Sequence, residues 1–342
     1  MRVTLSRISR ETGISIAAIS QVLNNHPNAR MLRKETRDRI LAAVREMGYH
    51  RNENAALTRT GVCKTVAFVS EFCPGMQFSC DGAIISGVLL AAGQEQFNIK
   101  VFEFGNFESC CDEILRYGIA HVLCFAHEYE NQQRIGEFCE RNRLKLCYLE
   151  SGNYADYPVI YSDDRSAVRD AVHYLYNRGH RRIALVNPRD DRHFSIQRRR
   201  GYLDAVRELH LPYDLRYISR RQNPVDHHTD IRAMLTLPKS ERPTGFVCAD
   251  DFRALRVENE ALRLGLSIPE ECAVIGYGNT VSDALPVPTS TIEQPFREIG
   301  ILGFNTLLDK TEEKYEVKKG VYLIPAAFIE RKSTQTNPGE RS

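Results

Sequence analysis

From Lys64 onward, short β-rich runs alternate with helical stretches, and this alternation restricts the possible folds more than any other feature of the chain. The runs are KTVAFVS, IKVFEF, HVLCFA, KLCYLE, RIALVN, GFVCAD and AVIGYG, with helical patterns such as 83–96, 166–178, 197–209 and 253–264 among them. Strands joined through helices lie parallel, and a parallel sheet needs cover on both faces. About ten such strands fit two doubly wound sheets better than one. A cleft is then expected between the sheets, at the carboxyl ends of the strands, where folds of this kind bind ligands.

The first 48 residues have a different texture, with three short helical patterns. Thr4 can cap a helix over 5–12, Gly13 allows a turn, and Ser15 can cap a second helix over 16–23. A third pattern over 33–47 repeats apolar or small positions at Thr36, Ile40, Val44 and Met47, leaving Lys34, Arg37, Arg39 and Arg45 off the stripe. Charge separates this head from the rest. Residues 1–61 hold eleven Lys/Arg against five acids, a net +6, so the remainder carries −4 within a total of +2. A basic module on a mildly acidic body is the footprint of a nucleic-acid reader carrying another domain.

The second helix sharpens that reading. Ile19, Val22 and Leu23 share an inward face, so Ile16, Ala17, Ser20, Gln21 and Asn24 look outward. A solvated face usually carries Lys and Glu, whereas this one is small, uncharged and able to hydrogen-bond. Gln21 can bond bidentately to adenine N6 and N7, Ile16 can touch a thymine methyl, and Ser20 and Asn24 can reach phosphates. A protein-contact helix of the same composition is the competing reading.

Other classes find less support. At 342 residues, 42% hydrophobic and 26% charged, the chain reads as two or three globular domains. It has no run of about 18 apolar residues and no signal-peptide core at its amino terminus, so a cytoplasmic protein is expected, not a membrane protein or an exported transport receptor. The ten cysteines are scattered through strand-like stretches and read as buried free thiols; without C-x-x-C or H-E-x-x-H, no metal site or other cofactor is expected. There is no G-x-S-x-G, P-loop or G-x-G-x-x-G. The acidic pairs Asp163/Asp164 and Asp250/Asp251 are sequence neighbours that would point apart on a strand, so no enzyme is expected.

Several blocks resemble the bacterial lactose repressor and galactose repressor (LacI/GalR) family. VTLSRISRETGISIAAISQVLNN is similar to its amino-terminal signature and ETRDRILAAVREMGY to its third helix. TRTGVCKTVAFV, RGHRRIALV, RRRGYLDAV, CADDFRAL, LGLSIPEECAVIGYGN, STIEQP and FIERKST follow in family order. The resemblance implies an α/β protein. A three-helix helix-turn-helix domain (1–49) and a linker (50–63) lead to a periplasmic-binding-protein-like core (64–332) of two doubly wound parallel-sheet subdomains, then a polar tail (333–342). The first subdomain is expected over about 64–161 with a returning segment of about 292–320. The second is expected over about 162–291 with a carboxyl-terminal strand. Function follows as an expectation: a sequence-specific transcriptional regulator, a repressor, bound as a homodimer to a pseudo-palindromic double-stranded DNA operator and controlled by a small effector, a sugar or sugar derivative.

The resemblance also suggests site residues. For DNA these are Thr4, Ser15, Ile16, Ala17, Ser20, Gln21, Asn24, Asn52 and Leu57; for the effector, Asp81, Glu150, Tyr161, Arg198, Asp250, Phe252 and Phe296. Three departures stand out. Gln21 replaces a common Arg, the loop NNHPNARMLRKET is three residues longer than usual, and its Arg30 and Arg33 can add phosphate contacts. In the linker, Arg51 and Thr58 stand where Pro and the minor-groove-wedging Leu are typical, with Leu57 one place early. Finally, GYGN replaces GYDD, so Gly278 stands where relatives place an Asp.

Overall fold

The computed structural model describes residues 4–23, 26–47, 63–71, 80–150, 152, 156–187, 192–219, 227–310 and 313–335. It forms two compact units, Met1–Cys63 and Lys64–Ser342. In the head, the cap residues act as the sequence suggests. Thr4 Oγ1 accepts from the Arg7 amide at 3.3 Å to start α1, Leu5–Thr12, and Gly13 at φ 68° ends it. Ser15 Oγ accepts from the Ala18 amide at 3.2 Å and opens α2, Ile16–Leu23. The third helix, α3, is Lys34–Glu46, slightly shorter than its sequence pattern. Ile8, Ile19, Val22, Ala29 and Ile40 close a small core, with Leu23, Val44 and Met47 packed around it.

The body holds two sheets. β1 Thr65–Ser70, β2 Asn98–Glu103, β3 His121–Phe125, β4 Lys145–Leu149 and β5 Val159–Ser162 join β10 Glu316–Lys318 and β11 Val321–Ile324 in the order β10-β11-β5-β4-β3-β1-β2. The second sheet, in the order β12-β9-β8-β7-β6, contains β6 Ile183–Val186, β7 Gly245–Cys248, β8 Ala273–Tyr277, β9 Ser290–Glu293 and β12 Ala327–Ile329. All pairs are parallel except β10 with β11 and β12 with β9. The buried strands are near-continuous apolar runs, as double cover requires.

Helices α4 Cys80–Gln94, α5 Phe107–Arg116 and α6 Tyr129–Asn142 belong to the first sheet; α7 Asp164–Asn177, α8 His193–Glu208, α9 His227–Leu235 and α10 Asp251–Arg263 to the second. Helix α11, Phe296–Leu307, returns to the first and packs on α4. No described helix is long and apolar enough to cross a membrane. Cys110, Cys124, Cys139, Cys147, Cys248 and Cys272 are buried free thiols, and burial pushes the Cys110 thiol up to about 12.

Two boundaries differ from expectation. The returning segment runs to Ile324, not about 320, because β11 pairs parallel with β5 and belongs to the first sheet. Nor is the tail wholly free from residue 333. The buried Ser333 hydroxyl accepts from the Ser290 amide at 2.8 Å and donates to the Val274 carbonyl at 2.5 Å, while Thr334 bonds Ser290 Oγ at 2.7 Å. Polarity suggested solvent, but short hydroxyls can satisfy buried backbone groups instead.

The α4–α11 crossing depends on glycine. A Cβ on Gly87 would run into the Arg297 carbonyl, and one on Gly300 into the Ile84 carbonyl. Gly93, also in α4, has open space around the same position. Gly300→Ala should therefore lower stability by roughly 1–3 kcal/mol through overpacking. Gly93→Ala should raise it by about 0.4–1 kcal/mol. Urea unfolding midpoints measure both.

Candidate functional site

On the head, the inward and outward faces of α2 fall as its sequence implies. Ile19 and Val22 are buried, Ile16 is 45% exposed, Ala17 is exposed, and Ser20 and Gln21 are half-buried. Thr4 and Ser15 each use their hydroxyl to cap a helix, which fixes how α1 and α2 begin. Asn24, Asn52 and Leu57 lie outside the described residues, as does most of the linker.

In the body, strand order locates the cleft. The first sheet winds outward in both directions from β1, which sits between β2 and β3. The second repeats this around β6, flanked by β7 and by a parallel bridge between Leu185 and Ile218. Such reversals open a crevice at the strands' carboxyl ends. There lie Glu71 and His127 in one subdomain, Asn187 and Ala249 in the other. The chain passes between the sheets at 162–164, 293–296 and 324–327, and the first and third passages are tied by the Asp163 amide donating to the Ile324 carbonyl at 2.9 Å.

Arg198, on α8, is the centre of this region. Its Nη1 donates to the Ala249 carbonyl at 2.5 Å and its Nη2 lies 3.4 Å from Asp164 Oδ1. The guanidinium carbon sits 3.7 Å above the Tyr277 ring centroid, and the Tyr277 hydroxyl donates to Asp164. Asp164 escaped the sequence reading, which placed the acidic pairs on strands. Both pairs instead begin helices. Asp163 caps α7 and Asp250 caps α10, while Asp164 and Asp251 sit buried in the first turn. Asp251 accepts from the Thr280 and Val281 amides and the Thr291 hydroxyl, which is a structural role.

Contacts from the start of α8 reach the first subdomain. Arg192 Nη2 pairs with Glu128 Oε1 at 2.8 Å, the His193 ring stacks on Tyr161 with centroids 4.1 Å apart, and Phe194 meets His127 edge-on at 5.5 Å. Glu71 holds this edge, accepting from the amides of His127 and Glu128. Burial and the neighbouring arginines lower His127 to about 4, and burial lowers His193. The His127 imidazole is therefore neutral at pH 7.

Of the sequence-suggested effector residues, Glu150, Tyr161 and Arg198 belong to one neighbourhood. Glu150 ends β4 in the left-handed region at φ 50°, a costly conformation for a non-glycine residue, and its buried carboxyl accepts from the Ser162 amide at 2.6 Å. Asp81 accepts from Ser70 Oγ at 2.7 Å beside the end of β1. Asp250 is held by the Arg253 amide and guanidinium, and Phe252 is 46% exposed on α10. Phe296 is packed into the core of the first subdomain and does not form an open aromatic wall. Gly278 has φ 107°, a region that an Asp side chain rarely adopts. His127, His193, Phe194 and Tyr277 went unnoticed in the sequence, since single aromatic and imidazole residues at strand and helix ends carry no periodic signal.

Burial, then the Asp164 charge, push the Glu150 carboxyl up to about 8, against the Ser162 amide and Arg198. The folded state thus holds this proton more tightly than the unfolded chain does. Its stabilising contribution is complete below about 4.5, the ordinary value, and is lost as pH rises towards 8. Glu150→Gln should flatten this decline, whose steepest slope for one group is about 1.4 kcal/mol per pH unit. Urea midpoints of both proteins at pH 5 and 8.5 make the comparison.

Residues 4–52 match the family described as bacterial regulatory proteins, lacI family, and residues 172–334 match the periplasmic binding protein-like domain. The HTH-type transcriptional repressor CytR of Escherichia coli (strain K12) is 26% identical over 343 residues, covering 98% of this chain and 97% of its own. Among solved structures, the lac repressor dimer bound to operator and the anti-inducer ONPF has a TM-score of 0.77 at 20% identity, covering 98% of this chain and all of that one. The transcriptional regulator CelR in complex with cellobiose has a TM-score of 0.67 at 21% identity over 97% of this chain and all of its own. A lacI-type head and a periplasmic-binding-protein-like body, in family order and at nearly full length, place the chain in the lacI family of bacterial regulatory proteins, a family of regulators and not of enzymes.

Proposed function

We propose that this chain is a cytoplasmic transcriptional repressor that binds a pseudo-palindromic operator as a homodimer and is controlled by a carbohydrate-type effector in the cleft. The observation that carries this reading is the uncharged outward face of α2 on a head of net charge +6. Gln21 reads adenine, Ile16 touches a thymine methyl, and Ala17 permits close approach to the groove. Ser20, Asn24, Asn52, Thr4 and Ser15 serve the backbone, and Leu57 serves the minor groove. Exposed Leu89, Val101 and Leu262 on the body supply apolar surface for a second copy.

Effector binding is supported by polar atoms around the cleft. Arg198 Nε, Asn187 Oδ1, Ser162 Oγ and Ser195 Oγ are buried without protein partners. Buried polar groups are normally satisfied, so these donors and acceptors suit a hydroxyl-rich molecule. Glu150 and Tyr161 border the same space; Asp81, Asp250 and Phe252 complete the proposed set. Closure about the three interdomain passages then alters the spacing of paired heads. Its coupling to DNA affinity is worth about 1–3 kcal/mol. CytR is named a repressor and CelR is seen with cellobiose; both favour this reading.

Mobility shifts on duplexes selected from a random library test it. Affinity should fall steeply with salt, because cationic contacts release counterions, and a flat dependence or no preference over random competitor refutes it. Gln21→Ala should relax choice at one base pair per half-site, costing roughly 1–3 kcal/mol there. Arg198→Lys keeps the charge but loses the planar fork. It should retain duplex binding and lose the response to effector, scored by the same shifts across a sugar panel.

A further inference from the structure

Residues 26–32, in the loop between α2 and α3, form a hydrogen-bonded turn. Residues Pro27–Met31 form a 3₁₀ helix. The His26 amide donates to the Gln21 carbonyl at 3.0 Å, and His26 Nδ1 accepts from the Asn28 amide at 3.2 Å. The Ala29 amide donates to the His26 carbonyl at 2.8 Å, and the Leu32 amide to the Ala29 carbonyl at 3.2 Å. Ala29 is buried in the head core, and Leu32 packs against it. Between these anchors Met31 is 86% exposed. Its exposure is thus built into a turn whose preceding residue, His26, is hydrogen-bonded to the Gln21 carbonyl.

The surroundings indicate what covers it. Arg30, Arg33 and Lys34 are exposed and Arg37 is half-buried, against Glu35 and Asp38 as the nearest acids. A lone apolar side chain among cations matches a surface that alternates anionic and apolar groups. The wall of a DNA duplex is such a surface, with phosphates separated by deoxyribose rings. Methionine, unbranched and polarizable, adapts well to an irregular apolar contact.

We propose that the Pro27–Met31 turn is a second DNA contact of the head, in which Met31 lies against deoxyribose beside the half-site and Arg30 takes a neighbouring phosphate. This rests on the DNA-binding reading above and adds to it a sequence-independent anchor. Because sugars are common to all sequences, Met31 contributes affinity without specificity, whereas Gln21 contributes specificity.

The test uses the full-length protein, a duplex selected by the wild type from a random library, and fluorescence anisotropy across a salt series. Met31→Ala should weaken binding about three- to tenfold on every duplex, with the salt slope unchanged. Arg30→Ala should weaken binding and reduce the slope of log K against log salt by about 0.9. Both side chains are exposed, so melting temperatures should match wild type. If Gln21→Ala shifts base preference while Met31→Ala and Arg30→Ala bind as wild type, the turn is not a DNA contact and the proposal is overturned alone. If the wild type selects no duplex, the DNA-binding reading fails and takes this proposal with it.

Discussion

The buried pair of Arg198 and Asp164 sets the terms for the body of this protein. Removing two charges from water costs several kcal/mol per ion, recovered only when geometry and further hydrogen bonds are good. Further hydrogen bonds are supplied here, although the pair itself meets at 3.4 Å and Arg198 Nε keeps no protein partner. Asp164 also accepts the Tyr277 hydroxyl, while Arg198 reaches the Ala249 carbonyl and lies over the Tyr277 ring. The cluster thereby joins α7, α8 and the ends of β7 and β8, close to where the chain enters the second subdomain. Burial and the Asp164 charge push the Glu150 carboxyl up, so it adds less negative charge beside Asp164 than an exposed carboxylate would.

Around that cluster the two subdomains are built alike. Each winds from its first strand, β1 or β6, and each brings helices together through glycine: Gly87 and Gly300 between α4 and α11, Gly201 against the Arg165 carbonyl between α8 and α7. Close helix packing makes each lobe stiff, and the three short passages between them are the natural places for movement. The Arg192–Glu128 pair and the His193–Tyr161 stack cross this boundary, so opening the cleft must break them.

Much of this was legible in the sequence because the signals were periodic or covalent. Apolar strand runs, alternating helices, and Thr4 and Ser15 as caps are local properties, and they translated directly into α1, α2 and the two parallel sheets. The site was less legible because it is assembled across long separations. Arg198 came from family resemblance, but its partner Asp164 was hidden by reading Asp163/Asp164 as strand neighbours; only the helix start puts one at the cap and the other inside. Phe296 looked like a ligand wall because a family position was carried over, whereas the first turn of α11 turns its ring into the core. Strands β10 to β12 are three or four residues long, too short for periodicity to reveal which sheet each joins.

The stitching of Ser333 and Thr334 to Val274 and Ser290 bears on how the molecule is made. The α1–α3 head closes its core within 47 residues and can collapse while synthesis continues. The body cannot. Its first sheet awaits α11 and β11, and its second awaits β12 and the hydroxyls behind it, so the first lobe stays unfinished until Ile324 and the second until Thr334 has left the ribosome. A nascent chain therefore carries a formed head on an incomplete body until those late segments emerge.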